Sequence, residues 1–200
     1  MIRRHHRRDK SEALYHAGSD FKGIIAIRAG TVKLMALNAD GDEYVVDLVL
    51  PGELIGFDGV SEGIYRCTAV ALEVVRFCRL DACQLVRLGS RAPYLHQVVL
   101  QRACETFDRQ VNRLWNARRT SEVRVAVFLL DVSERLRIRG YSEAFFKLSL
   151  SRADIGNYLG LAHETVSRVL HLFQARGWIE IKAKQVCITN KQALIRFSGA

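Results

Sequence analysis

Up to about residue 90 the chain alternates between apolar and polar positions over short stretches. Runs rich in Val, Ile, Tyr and Phe occur at Gly23–Arg28, Thr31–Leu37, Glu43–Leu50, Leu54–Phe57, Tyr65–Ala71 and Glu73–Leu80, the pattern of strands bounded by turns. Within Thr31–Leu37 the period is two, with Val32, Leu34 and Ala36 on one side and Lys33 on the other. Nine of the 14 glycines lie at or before Gly89, as a chain with many tight turns requires. Asn38–Asp42 reads as a hairpin turn. A closed β-barrel or sandwich over residues 13–90 is the economical prediction.

At Pro93 the period lengthens. Leu100, Ala103/Cys104, Phe107, Val111 and Leu114 recur every three or four residues, predicting a helix over 93–118 whose apolar stripe packs on the β segment. The adjoining stripe is Val99, Arg102, Thr106, Arg109 and Arg113. It points to water, or meets its own copy in a dimer. Val123, Val127, Leu130 and Ser133–Leu136 predict a second helix ending near Gly140. Two further helices follow in Leu148–Gly160 and Ala162–Gly177, then two short strands, Trp178–Lys182 and Gln185–Thr189, with Ala183-Lys184 at the hairpin tip. The fold class is α+β, with domains at 1–92, 93–118 and 119–200.

The chemistry concentrates near the C-terminus. Ser151-Arg152-Ala153-Asp154 has the form of a capping box. Ile155 and Leu159 face inward, Gly160 makes a sharp turn, and a second helix from Glu164 to Arg176 buries Val166, Val169, Leu170 and Phe173. Helix, glycine turn, helix is the arrangement that lays its second helix in the major groove. Glu164, Thr165, Ser167 and Arg168 are then outward: arginine can bridge guanine O6 and N7, and a carboxylate can accept from cytosine N4. Ser151, Arg152, Thr165, Lys182 and Lys184 flank the site as supporting and phosphate contacts. Ala162 stands where a Ser or Thr cap would help.

Charge supports this placement. The formal net charge is +9, but residues 13–94 carry 8 basic and 10 acidic side chains whereas residues 148–200 carry 7 and 3. The basic end is the one suited to a polyanion. No run approaches the ~18 apolar residues of a membrane span, so no membrane association is expected. The basic Met1–Lys10 is followed by Ser11, Glu12 and His16 rather than an apolar stretch, which excludes a secretory signal. Five cysteines at 67, 78, 83, 104 and 187 are odd in number and scattered. They read as small buried side chains in a reducing cytoplasm, not as a disulfide framework. His5-His6 reads as part of a solvated tail, and His163 and His171 are eight residues apart, too far round a helix to share a metal. No arrangement of catalytic residues stands out; an enzyme is not expected.

Arg152-Ala-Asp-Ile-Gly-Asn-Tyr-Leu-Gly-Leu161 and Glu164-Thr-Val-Ser-Arg168 resemble the helix-turn-helix of the Crp–Fnr transcription regulators, in particular the Fnr branch. Tyr15-His-Ala-Gly18, Ala26-Ile-Arg-Ala-Gly-Thr31, Gly41-Asp-Glu43 and Pro51-Gly-Glu-Leu-Ile-Gly-Phe-Asp58 resemble its cyclic-nucleotide-type β-roll. The resemblance implies an N-terminal jelly-roll-like β-roll, a long central dimerisation helix and a C-terminal winged helix-turn-helix. It implies a cytoplasmic homodimeric regulator, an activator or repressor. Glu164, Ser167 and Arg168 would read a TTGAT–N4–ATCAA-like palindrome in double-stranded DNA, with half-sites about one helical turn (~34 Å) apart. It makes RNA polymerase a partner, through loops Asn38–Glu43 and Phe57–Gly63. It also aligns the stripe Val99, Arg102, Thr106, Arg109 and Arg113 with the subunit seam, where like charges would weaken pairing in the absence of DNA.

The sensory half departs from the family's pattern. Where cyclic-nucleotide binders place an Arg-Ser or Arg-Thr pair, this chain has Glu62-Gly63, so cyclic AMP is not expected; Arg66-Cys67-Thr68 lies nearer the next strand. Cys78 matches the β-roll ligand of the Fnr [4Fe–4S] cluster, but the three N-terminal cysteines have no counterpart in this sequence, and four thiolates must converge on such a cluster. No cofactor is expected. The competing reading is a ligand- or redox-responsive module centred on the Cys78 region.

Overall fold

A computed structural model of the chain describes residues 5–83 and 93–199. Two compact units divide it, Met1–Gln110 and Val111–Ala200. The division falls inside the long helix, which the sequence pattern set apart as its own segment. The boundary expected after residue 92 lies at the edge of a stretch outside the described residues.

The first unit holds β1 (His5–Arg8), β2 (Ala13–Tyr15), β3 (Gly23–Ala29), β4 (Val32–Leu37), β5 (Glu43–Val49), β6 (Leu54–Ile55), β7 (Thr68–Ala71) and β8 (Val75–Asp81), and then α1 (Pro93–Asn116), which continues into the second unit. Two four-stranded antiparallel sheets, ordered β1-β8-β3-β6 and β2-β7-β4-β5, enclose a core of Ile25, Ile27, Val32, Val49, Tyr65, Ala69, Val75 and Phe77. All six expected runs are represented. The Asn38 side chain shapes the β4–β5 turn, its Oδ1 accepting the N–H groups of Asp40 at 2.9 Å and Asp42 at 2.8 Å.

The N-terminal residues expected as a solvated tail form a strand instead. β1 pairs with β8, and the His6 ring stacks on Phe77 at 5.1 Å. His-His-Arg-Arg has no strand signal of its own; the open edge of β8 supplies one.

A second correction concerns α1, where most of the stripe expected to face inward is outward: Ala103 and Val111 are half-buried, but Cys104 is exposed. Leu100, Phe107 and Leu114, expected to pack on the β segment, are 58%, 67% and 68% exposed. The expected dimer seam, Val99, Arg102, Thr106, Arg109 and Arg113, is the half-buried side. Arg109 donates to Asp47 of β5 at 3.3 Å and to Thr106 Oγ1 at 3.2 Å, with side-chain exposures of 14% for Arg109 and 3% for Asp47. Arg102 pairs with Glu105 at 2.7 Å, and the Arg113 guanidinium lies over the Tyr158 ring at 4.9 Å. Arginine carries a long aliphatic arm that packs like an apolar side chain when its head finds a partner. The partner of Arg109 lies 62 residues away in sequence, beyond the reach of any periodicity.

The second unit comprises the end of α1, α2 (Ser121–Ile138), β9 (Phe145–Lys147), α3 (Arg152–Leu159), α4 (His163–Ala175), β10 (Ile179–Lys182), β11 (Gln185–Ile188) and α5 (Lys191–Ser198). Its core joins Val125, Leu129 and Val132 of α2 to Ile155, Val166, Val169, Phe173, Ile179 and Leu194. The small sheet, ordered β10-β11-β9, and the last helix complete a winged helical domain. Arg119 anchors α5 by donating to the Ser198 carbonyl, and Arg176 stacks on Trp178 at 4.8 Å and Phe197 at 5.6 Å.

Removing one member of a buried ion pair leaves the other charged and unpaired. Asp47→Ala is therefore expected to lower the unfolding free energy by about 3 kcal/mol in urea denaturation. A loss within the range of an ordinary surface substitution, about 0.5 kcal/mol, would show that Arg109 does not depend on Asp47.

Candidate nucleic-acid interface

α3 begins with the expected capping box. Asp154 N–H donates to Ser151 Oγ at 3.0 Å, and Ser151 N–H donates to Asp154 Oδ2 at 3.1 Å. The helix ends at Gly160 in the left-handed conformation, φ +62°, which costs glycine nothing. Leu161 N–H then donates to Gly156 O at 2.8 Å, drawing the turn down onto the helix. Gly156 matters as much as Gly160: a Cβ there would stand 2.5 Å from the Leu161 carbonyl oxygen. The sequence pattern does not single out Gly156, because a glycine inside a helical stretch signals close approach only once the neighbouring backbone is placed.

α4 buries Val166, Val169, Leu170 and Phe173, the expected inward set. The opposite side presents Glu164, Arg168 and His171 exposed, with Ser167 and Thr165 half-exposed. At about 100° per residue, Ser167, His171, Glu164 and Arg168 share an arc of roughly 100°. Glu164 is 72% exposed and its carboxylate lies 3.2 Å from His163 Nδ1. Arg168 lies near enough to α2 to act on Glu122, whose carboxyl is held below the usual carboxylate range by its backbone N–H, then by Ser121, Thr120 and the Arg168 charge. His171 is the outward residue that sequence reasoning missed; its position three residues beyond Arg168 was the available signal.

The supporting residues fall into two groups. Lys182 is exposed on β10. Lys184 spends one of its donors on the Ser149 carbonyl at 2.7 Å, tying the wing to the helical body. Arg152 is half-buried, and burial lowers its pKa. With Ser151, Ala183 and Lys184 it lines a cavity of about 150 Å³ between the start of α3 and the wing. Ala183 at the wing tip holds φ +54°, a conformation that disfavours any residue but glycine.

The cysteines do not behave uniformly as small buried side chains. Cys67 is buried, Cys78 and Cys187 are half-buried, and Cys83 and Cys104 are exposed. Cys78 sits in β8 opposite Ala26 of β3 and His5 of β1. Among the described residues no three His, Cys, Asp or Glu side chains are grouped to hold a metal, and these thiols, on separate elements, do not fit a four-thiolate cluster. No described helix is long and apolar enough to cross a membrane.

Residues 123–197 match the Crp-like helix-turn-helix domain, and residues 6–92 match the cyclic nucleotide-binding domain. The fumarate and nitrate reduction regulatory protein of Escherichia coli strain K12 is 36% identical over 191 residues, covering 95% of this chain and 76% of that protein. The protein of the same name from Yersinia pestis shows the same identity and coverage. FixK2 from Bradyrhizobium japonicum superposes with a TM-score of 0.88 at 25% identity, covering 100% of this chain and 99% of that one. A CRP-family transcriptional regulator from Thermus thermophilus shares the fold with a TM-score of 0.74 at 21% identity, covering 98% of this chain and 97% of that one.

Two substitutions test the local architecture of the interface. Gly156→Ala is expected to destabilise the second unit by about 2 kcal/mol, since the backbone must move to admit the methyl group. Ala162→Ser adds the missing side-chain cap and is expected to stabilise it by about 1 kcal/mol. Thermal unfolding of each variant beside the parent reads both signs.

Proposed function

This chain belongs to the Crp–Fnr family of DNA-binding transcription regulators, which are not enzymes, and we propose that it acts in the cytoplasm as a homodimer on a TTGAT–N4–ATCAA-like palindrome. The observation that carries the proposal is the outward arc of α4: a carboxylate, a hydroxyl and a guanidinium on one side of a helix whose other side is packed away. Arg168 would bridge O6 and N7 of a guanine, Glu164 would accept from cytosine N4, and Ser167 would complete the set. Ser151, Arg152, Thr165, Lys182 and Lys184 would meet phosphates and fix the register. No [4Fe–4S] cluster and no cyclic nucleotide takes part in this reading.

The exposed stripe of α1 supports the dimer. Leu100 and Phe107 are seven residues apart, with Leu114 a further seven along, the spacing of a helix–helix seam. In this reading the half-buried arginines lie away from the seam, and the dimer forms without DNA. A two-fold dimer presents two copies of α4, as a palindrome requires. RNA polymerase would be contacted through loops Asn38–Glu43 and Phe57–Gly63, both of which carry exposed residues.

Arg168→Ala is expected to cost about 1–3 kcal/mol on the palindrome and to relax selectivity at one base pair, whereas Lys182→Ala weakens all sequences alike and lowers the salt slope by about 1. Quantitative gel-shift titrations on palindrome and scrambled duplexes separate the two. If Arg168→Ala binds the palindrome as tightly as the parent, the recognition assignment fails. Phe107→Asp is expected to leave the fold intact and to shift sedimentation from dimer to monomer, with loss of palindrome binding.

A further inference from the structure

Between Gly56 and Cys67 the β-roll turns back on itself through a single 3-10 turn, Phe57–Gly59, and this turn is built around a carboxylate. Asp58 Oδ2 accepts the backbone N–H of Arg66 and that of Cys67, each at 2.9 Å. Consecutive backbone N–H groups aimed at one point form an anion-binding concavity. The nearby cation, the Arg66 guanidinium, is held in an ion pair by Glu62. Burial, and then the Asp58 carboxylate, push the Cys67 thiol's pKa up to about 12.

Packing holds the turn closed from behind. The Phe21 ring stands 2.6 Å from where a Cβ on Gly59 would be. The Tyr65 hydroxyl donates to the Gly23 carbonyl at 2.8 Å and accepts from Lys22 N–H at 3.3 Å. The Tyr15 ring stacks on Tyr65 at 3.9 Å, and its buried hydroxyl has no hydrogen-bond partner among the described residues.

We propose that the chain's own carboxylates keep an anionic effector out of this part of the β-roll, Asp58 occupying the paired N–H donors of Arg66 and Cys67 beside Glu62, which stands where cyclic-nucleotide binders carry an arginine. Glu62 does the same for the guanidinium. The residues present do not fit a cyclic nucleotide. Its phosphodiester would have to displace two charge-assisted hydrogen bonds and lie against two carboxylates of its own sign. The domain has kept the fold of a cyclic nucleotide site and has closed the anion position from within.

The test uses the isotopically labelled full-length chain in phosphate-free buffer. In the parent protein the amide signals of Arg66 and Cys67 are expected to resist hydrogen exchange and to stay fixed on addition of cyclic AMP or of inorganic phosphate. The double variant Asp58→Ser/Glu62→Gln, which frees the donors, is expected to bind cyclic AMP or inorganic phosphate at least tenfold more tightly than the parent by calorimetry. Binding of both probes would mark a simple anion site, and binding of cyclic AMP alone a nucleotide site; either supports the proposal. Saturable movement of the two parent signals with cyclic AMP overturns it, as does a folded double variant no better than the parent. Should that variant fail to fold, the parent decides alone: Arg66 and Cys67 amides that exchange as freely as unbonded ones also overturn the proposal.

Discussion

One contact sets the use of the central helix: the buried pairing of Asp47 on β5 with Arg109 on α1. Charges removed from water must be partnered, and a helix is a rigid rod with about 100° between successive residues. Turning Arg109 toward Asp47 therefore fixes everything else round the rod. Leu100, nine positions away, falls about 180° from Arg109, and Phe107 and Leu114 fall about 160° and 140° from it. Leu100, Phe107 and Leu114 are outward where the Arg109 side is inward. They stay in solvent, at 58%, 67% and 68% exposure.

The same economy runs through both units. Carboxylates in the β-roll are satisfied by groups of the chain itself: Glu53 accepts the Leu50 N–H at 2.9 Å, Asp47 meets Arg109, and Asp58 takes two backbone N–H groups. In the winged domain the capping box of α3 and the Lys184–Ser149 tie hold the frame. The outward residues of α4 remain in solvent. Polar chemistry is spent inward where the fold needs rigidity and left outward where recognition needs it. The β-roll is in this sense a closed scaffold, and the winged domain the open one.

Much of this was legible in the chain before any coordinates. Strands β3 to β8, the capping box, the glycine turn and the four buried residues of α4 follow from local rules: periodicity, caps and turns act within a few residues of themselves. β1, β9 and α5 were not legible, because His5–Arg8 and Phe145–Lys147 become strands only when a neighbouring strand offers hydrogen bonds. The role of Gly156 was hidden for a similar reason, since its missing Cβ matters only against the Leu161 carbonyl.

The sequence alone determined that a polar edge would stand opposite an apolar one on the second helix of the pair, since both are written in a single run of residues. Tertiary structure alone decided which side of α1 faces outward and what occupies the turn at Asp58. Those choices rest on partners 62 and eight or nine residues away. Electrostatic pairing is set by distance through space, which the order of residues does not encode until the chain has closed on itself.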